Sequence, residues 1–175
     1  MSVTADLPRV DPGRRLSLAR RAYGGFLRTA VGRGIAVNVA SRVDPWLLRR
    51  TRGRVGMGLM LPSALLTTVG ARSGQPRTAT VLYFHDGDDV ILVASSFGRA
   101  RHPAWFHNLV ANPEVRIAKG GGGPRMEARP ITDPDELQRV WALADQVYPP
   151  YADYRRRAGA AGRTIPLVRL RPLDG

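Results

Sequence analysis

The segment Thr67–Arg77 groups side chains that could bind an anion. It places a hydroxyl, an amide and two guanidinium groups on a glycine-containing turn between two predicted strands: Arg72, Ser73, Gln75, Pro76 and Arg77. Backbone N–H groups in such a turn, with arginine side chains beside them, form a ready site for phosphate or carboxylate. An ordinary polar hairpin turn uses the same residue types, so the pattern alone leaves both interpretations open.

A second candidate anion site lies at Ala94–Pro103, where the chain passes from a strand end to a helix start. This stretch carries two serines and two arginines: Ser95, Ser96, Arg99 and Arg101. A helix N-terminus concentrates unpaired N–H groups and positive potential, so phosphate or carboxylate binds well there. The alternative is that the serines satisfy local backbone groups and the arginines are solvated. The following Trp105, Phe106 and Leu109 have a spacing that favours core packing.

Three phenols follow at three-residue spacing: Tyr148, Tyr151 and Tyr154. This spacing would place them along one side of a helical turn. Tyrosine offers an aromatic ligand a flat apolar face and a hydroxyl group. Packing inside the fold is the alternative, but it would require hydrogen-bond partners for three hydroxyl groups. The pattern therefore slightly favours a ligand site.

Several catalytic classes lack the residues that they need. The chain has no cysteine, which excludes disulfides, a thiolate nucleophile and sulfur-ligated metals, and suits a reducing compartment. Its three histidines, His85, His102 and His107, do not have metalloprotease spacing. We also find no phosphate-loop signature, no Ser-His-Asp order and no dinucleotide-binding glycine fingerprint. The sequence therefore disfavours hydrolysis and metal catalysis.

The positive charge is concentrated near the N-terminus. Residues 1–56 carry +9 of the formal net charge of +13. They include a predicted basic amphipathic helix over Leu16–Val31, a second from Ile35 and a short one over Trp46–Arg50. Such a segment could contact an anionic membrane surface, a nucleic acid or a polyanionic ligand. No run approaches the roughly 20 apolar residues of a membrane-spanning helix, so we expect a cytoplasmic protein.

The elements that must position these residues are mostly strands. Alternating apolar runs bounded by turn residues predict six of them: Ala64–Val69, Arg77–Phe84, Val90–Ser95, Val115–Ala118, Arg125–Ile131 and Ile165–Leu170. Two helices are predicted, over Pro103–Leu109 and Pro134–Val147, the second capped by Thr132 or Asp133. Short antiparallel strands with two inserted helices predict an α+β, mainly β, small barrel.

Four motifs in order resemble the deazaflavin-dependent nitroreductase and quinone reductase family of actinobacteria. They lie within a region of resemblance from about Trp46 to Pro172, and their residue runs are Leu65–Arg77, Val93–Ser95, His102–Pro113 and Val147–Tyr154. The resemblance implies a split β-barrel over residues 57–175, related to flavin-binding barrels and preceded by the basic helical segment 1–56. It also implies a deazaflavin coenzyme (F-420) that bears a phosphate and an oligoglutamate tail.

The resemblance assigns roles to the candidate residues. The turn residues would bind the phosphate and tail: Arg72, Ser73, Gln75, Pro76 and Arg77. Ser95 would lie beside the coenzyme and substrate, with Ser96, Arg99, Arg101 and Trp105 as further coenzyme contacts. Tyr148, Tyr151 and Tyr154 would line the pocket of a hydrophobic quinone or nitro acceptor, and Ser95 or a phenol would stabilise negative charge on it. The N-terminal helix would contact the inner face of the membrane.

The chain departs from the family pattern near the expected coenzyme. Ala71 stands where relatives often carry arginine, and Ser96-Phe97 where many carry Lys-Gly. Arg99 and Arg101 could supply charge in their place. Three other functions remain as alternatives: the same barrel with FMN, a carrier that binds deazaflavin without catalysis, and a nucleic-acid-binding module. We expect no nucleic-acid binding, because clustered arginine is present without an aromatic-basic motif.

Overall fold

The computed structural model of the chain describes residues 7–12, 61–120 and 122–173. Within them, six antiparallel strands form a closed barrel in the order β1-β2-β3-β6-β5-β4. Their bounds are β1 Ser63–Val69, β2 Pro76–Asp86, β3 Asp89–Val93, β4 Glu114–Ala118, β5 Arg125–Pro130 and β6 Leu167–Pro172. The pairing of β1 with β4 closes the barrel. The predicted mainly β barrel is confirmed, and the last strand begins two residues later than predicted.

Both faces of the barrel wall are buried where the second half of β2 pairs with β3. Tyr83 pairs with Leu92, and the next residue pair joins Phe84 to Ile91. Successive side chains of a strand point to opposite faces. Tyr83 and Leu92 accordingly belong to the interior core, while Phe84 and Ile91 belong to a second core outside the wall. This double burial explains why these strands read as nearly continuous apolar runs.

Three helices lie between the strands in the described part of the chain. They are α1 (Ala104–Ala111), α2 (Pro134–Val147) and α3 (Tyr151–Ala160). The α2 prediction is confirmed, since the Asp133 carboxylate caps the helix by accepting from the Glu136 N–H at 2.8 Å. The prediction of two helices was too low, because α3 was not recognised as an element.

A left-handed glycine ends α3. Gly162 has φ +71°, its N–H donates to the Gly159 carbonyl at 2.9 Å, and the Arg163 N–H donates to the Ala158 carbonyl at 2.8 Å. These two bonds are those of a Schellman motif. The motif turns the chain sharply, and the side chain of Arg163 is buried directly after it.

The short segment 7–12 packs against the β2–β3 hairpin. The Val10 N–H donates to His85 Nδ1 at 3.1 Å, and the His85 N–H donates to the Val10 carbonyl at 2.8 Å. The Tyr83 hydroxyl donates to the Pro8 carbonyl, and Leu7 is buried. The helices predicted from Leu16, from Ile35 and over Trp46–Arg50 lie outside the described residues. No helix of the described part is long and apolar enough to cross a membrane.

An ion-pair cluster stabilises the outer wall beside α2. Arg169 on β6 forms ion pairs with Asp86, Asp89 and Glu136 at 2.6–2.8 Å. The Arg169 side chain is 11% exposed. The neighbouring Arg139 and Arg169 guanidinium groups lower the pKa of Asp86 to about 2. This buried arginine thus has its charge balanced by carboxylates.

Candidate functional site

A cleft of about 690 Å³ separates the β1–β2 turn from the first turns of α1. Arg72, Arg77 and His107 line it, and its described lining contains no acidic side chain. The remaining lining residues are Thr68, Gly70, Ala71, Ser73, Thr78, Ala79, Ala104, Trp105 and Asn108. The charge of this lining favours a ligand with negative groups.

The β1–β2 turn is closed by its own hydrogen bonds. The Gly70 N–H donates to the Gln75 carbonyl at 2.9 Å, and the Gly74 N–H donates to the Gly70 carbonyl at 2.8 Å. The Gln75 N–H donates to Ser73 Oγ at 3.3 Å. These bonds engage three backbone N–H groups of the turn, so the exposed side chains of Arg72 and Arg77 are its charged donors, a distinction that the residue pattern did not make.

Asn108 joins α1 to this turn across the cleft. Its Oδ1 accepts from the Ala71 N–H at 3.0 Å, and its Nδ2 donates to Thr68 Oγ1 at 3.0 Å. The sequence analysis did not assign Asn108 any contact with this turn. A usable signal was present, since asparagine has low intrinsic preference for a helix interior.

The loop between β3 and α1 has an unusual backbone. Ser96 and Phe97 have φ angles of +47° and +56°, and Gly98 follows at +76°. Side-chain-bearing residues rarely adopt this left-handed region, and such strain tends to occur at functional sites. Gly98 packs directly on α3, where an added Cβ would lie 2.9 Å from the Tyr154 carbonyl oxygen.

The structure divides the predicted coenzyme residues into two groups. Arg72, Ser73, Arg77 and Trp105 line the cleft, while Gln75 and Pro76 lie in the same turn without lining it. The remaining four lie on the loop that leads into α1 and do not line the cleft: Ser95, Ser96, Arg99 and Arg101.

A buried arginine that the sequence interpretation did not single out holds this loop. Arg163 is 7% exposed, and its guanidinium donates to the carbonyls of Ala94 and Arg101 at 3.3 and 3.2 Å. It also donates to the Ser95 carbonyl at 2.5 Å. Burial lowers the pKa of Arg163. Arginine remains charged in proteins nonetheless, so a positive charge lies beneath the loop.

The same guanidinium lies against the His102 ring. Arg163 Nη1 lies 3.2 Å from His102 Nδ1. A guanidinium has only donors, so a hydrogen bond at this contact requires Nδ1 to be the acceptor. Burial, together with the charges of Arg163 and His107, lowers the pKa of His102. His102 therefore stays neutral near pH 7.

The three tyrosines form one buried aromatic cluster at the junction of α2 and α3. Tyr148, Tyr151 and Tyr154 are 3–4% exposed, and the hydroxyls of Tyr148 and Tyr154 are 3.2 Å apart. Burial raises the pKa of Tyr151, which keeps its phenol protonated. The Phe97 ring lies against Tyr154 with centroids 6.1 Å apart, so the cluster adjoins the β3–α1 loop. The described cleft lining does not include these tyrosines.

Comparison with known proteins shows which family the chain belongs to. A family model described as F420H(2)-dependent quinone reductase matches residues 40–172. An F420H(2)-dependent quinone reductase of Mycobacterium tuberculosis is 39% identical over 134 residues, covering 74% of this chain and 87% of that protein. A putative F420H(2)-dependent quinone reductase of the same species is 34% identical over 121 residues, covering 68% of this chain and 98% of that protein.

A solved structure agrees with these sequence relationships. A protein described as an F420-H2 dependent reductase superposes with a TM-score of 0.55 and 33% identity, covering 63% of this chain and 94% of that chain. The resemblance drawn from the four motifs is thereby confirmed. The family model and the mycobacterial relatives together show that the chain belongs to the F420H(2)-dependent quinone reductase family.

Proposed function

We infer that this protein is an oxidoreductase that uses the reduced deazaflavin coenzyme F-420 to reduce a quinone-type acceptor. The family match supports the coenzyme, and the family description supports a quinone rather than a nitro compound. Neither the family match nor the family description supports FMN, the alternative coenzyme. The observation that carries the proposal is the cleft of about 690 Å³, which presents Arg72 and Arg77 and has no acid in its described lining.

The cleft suits the anionic part of the coenzyme. Arg72 and Arg77 are exposed at the β1–β2 turn, where their guanidinium groups can bind a phosphate and carboxylates in forked geometry. Ser73 adds a hydroxyl group, and Gln75 and Pro76 shape the turn. Trp105, half-buried on α1, offers an apolar face from the opposite side.

The β3–α1 loop suits the ring of the coenzyme. When bound, the reduced coenzyme supplies a hydride, and the protein supplies orientation and electrostatics. Ser95 and Ser96 present hydroxyl groups on this loop, and the exposed Arg99 and Arg101 add positive charge. Arg99 and Arg101 are the charged groups that this loop offers in place of the lysine absent at Ser96, and they lie outside the described lining of the cleft beside Ala71.

The tyrosine cluster is the proposed acceptor site. Hydride transfer to a quinone places negative charge on an oxygen atom, which a nearby hydrogen-bond donor stabilises. The buried Tyr151 phenol remains protonated at neutral pH and can act as that donor. Because the three rings are 3–4% exposed, the cluster must open for an acceptor to reach a hydroxyl group.

The cellular location follows from the acceptor and the charge distribution. A hydrophobic quinone partitions into membranes, and residues 1–56 carry most of the net positive charge. We therefore place the protein in the cytoplasm, with peripheral contact between its basic N-terminal segment and the anionic inner face of the membrane. Co-sedimentation with vesicles containing anionic lipid tests this contact, and equal recovery with neutral vesicles would contradict it.

The decisive experiment combines coenzyme binding with turnover. Tryptophan fluorescence follows titration with reduced F-420, and coenzyme absorbance then follows oxidation by menadione. Replacing Arg72 and Arg77 together by Ala should raise the coenzyme Kd by at least about 100-fold, because each charge-assisted contact contributes about 1.5–3 kcal/mol and the two contacts sum to about 3–6 kcal/mol. Arg129→Ala, at an exposed site on β5 away from the cleft, is the control. Tight binding without oxidation by any quinone would support the non-catalytic carrier instead.

A further inference from the structure

The Arg163 guanidinium differs from that of the other buried arginine described above. Arg169 meets three carboxylates, whereas no carboxylate pairs with Arg163 among residues 7–12, 61–120 and 122–173. Its acceptors are three backbone carbonyls and an imidazole nitrogen, and its buried Nε has no hydrogen-bond partner in that part of the chain. Within the described residues, neutral acceptors alone therefore meet the charge of Arg163.

All its backbone acceptors lie on the two ends of one loop. Ala94 and Ser95 follow β3, and Arg101 precedes α1. One side chain thus connects both ends of the loop that carries Ser95. The Ser95 carbonyl also accepts from the Gly98 N–H at 2.9 Å, so two donors fix the orientation of its peptide plane.

The orientation of that peptide plane has a stereochemical consequence. The C=O and N–H groups of a trans peptide point in opposite directions. Because the Ser95 carbonyl points to the buried guanidinium, the Ser96 N–H points away from it. Arg163 and the Gly98 N–H together therefore hold the orientation of the Ser95–Ser96 peptide, and they limit the positions available to the Ser95 side chain.

We propose that Arg163 is a positioning residue of the reductase, which acts by holding Ser95 and the β3–α1 loop in the orientation that hydride transfer requires. The inference rests on the proposed function, since it assumes that this loop adjoins the coenzyme ring. Arg163 has no place in the cleft that would bind the phosphate and tail. Its removal should therefore change catalysis more than coenzyme affinity.

The kinetics of Arg163→Lys and Arg163→Ala test whether Arg163 affects catalysis more than coenzyme affinity. A misplacement of about 1 Å costs about 100-fold in rate, so we expect kcat to fall by about 10- to 100-fold, while the coenzyme Kd rises by a smaller factor because the phosphate and tail keep their proposed contacts in the cleft. Lysine keeps the charge but cannot present the planar fork, and it should restore only part of kcat. Added guanidinium ion should raise the kcat of Arg163→Ala by refilling the vacated space.

Two controls separate positioning from general destabilisation. Arg169→Lys alters a buried arginine of the ion-pair cluster, and it should lower the melting temperature while leaving kcat unchanged in the folded protein. In a Ser95→Ala background, Arg163→Lys should have little further effect on kcat, because residues that act as a unit are non-additive. If Arg163→Ala does not fold, Arg163→Lys and its combination with Ser95→Ala still test whether Arg163 positions Ser95.

The measured outcomes distinguish a failure of the proposed function from a failure of the role proposed for Arg163. A wild-type protein that binds no reduced F-420, or never oxidises it, would refute the proposed function itself. An active wild type with an unchanged kcat in Arg163→Lys and no guanidinium rescue in Arg163→Ala would refute the role of Arg163 alone. Full additivity of the Ser95 and Arg163 substitutions would show that Arg163 does not act through Ser95.

Discussion

Replacing Gly98 by alanine tests whether the β3–α1 loop is held by its contact with α3. The left-handed φ of +76° costs an L-residue about 1–2 kcal/mol. The new Cβ would also lie 2.9 Å from the Tyr154 carbonyl oxygen and 3.1 Å from Tyr154 Cα. Both neighbours are backbone atoms, so relief requires the loop to move, at about 1–3 kcal/mol. We expect a total loss of about 2–5 kcal/mol in unfolding free energy.

Gly87→Ala is the matched control. Gly87 also has a left-handed φ, +62°, but a Cβ there would meet nothing within 4 Å. It should lose only the backbone part, about 1–2 kcal/mol. Urea unfolding gives the unfolding free energy of both variants. A loss of 1 kcal/mol lowers the melting temperature by about 2–4 °C, so it should fall by roughly 10 °C in Gly98→Ala and by roughly 4 °C in Gly87→Ala. Equal losses of unfolding free energy in the two variants would refute the packing argument. An unchanged kcat in Gly98→Ala would show that the β3–α1 loop has no role in catalysis.

Two further predictions concern other contacts. Asn108→Ala removes the acceptor for the Ala71 N–H and the donor to Thr68 Oγ1. The unfolding free energy should therefore fall by about 1–3 kcal/mol, and coenzyme affinity should weaken. An unchanged coenzyme Kd would show that α1 does not determine the conformation of the β1–β2 turn. Burial, reinforced by Arg9, lowers the pKa of His85, so the unfolded chain binds more protons and stability should fall as pH drops below about 6.5. His85→Asn, which retains an acceptor for the Val10 N–H without titrating, should reduce that pH dependence in urea unfolding, and an identical pH profile would contradict the assignment.

Much of the fold could be predicted because its signals are local. The capping residue Asp133, followed by Pro134, gives the start of α2, and turn residues bound each strand. Helix α3 was missed because its apolar positions are few and Gly159 interrupts a largely polar stretch. The three-residue spacing of its tyrosines was noticed, but spacing alone does not reveal whether phenols face a ligand or a core.

The candidate site was less predictable because its key contacts span long sequence distances. Asn108 reaches back 37 residues to the Ala71 N–H, and no local pattern signals such a bond. Arg163 is one of 26 arginines in the chain, and only the tertiary structure distinguishes it from those at the surface. By contrast, the clustering of Arg72, Ser73 and Arg77 could be predicted, since one turn holds them all.

The packing of Phe97 and Gly98 against Tyr154 has a thermodynamic consequence for the two substrates. The loop proposed to hold the coenzyme and the helix proposed to receive the acceptor share this contact, and we expect a displacement of one to shift the other. Binding at either place must then alter affinity at the other, and linkage requires the two factors to be equal. The reductase should accordingly show cooperative rather than independent binding of donor and acceptor, with Phe97 as the residue through which the two equilibria are coupled.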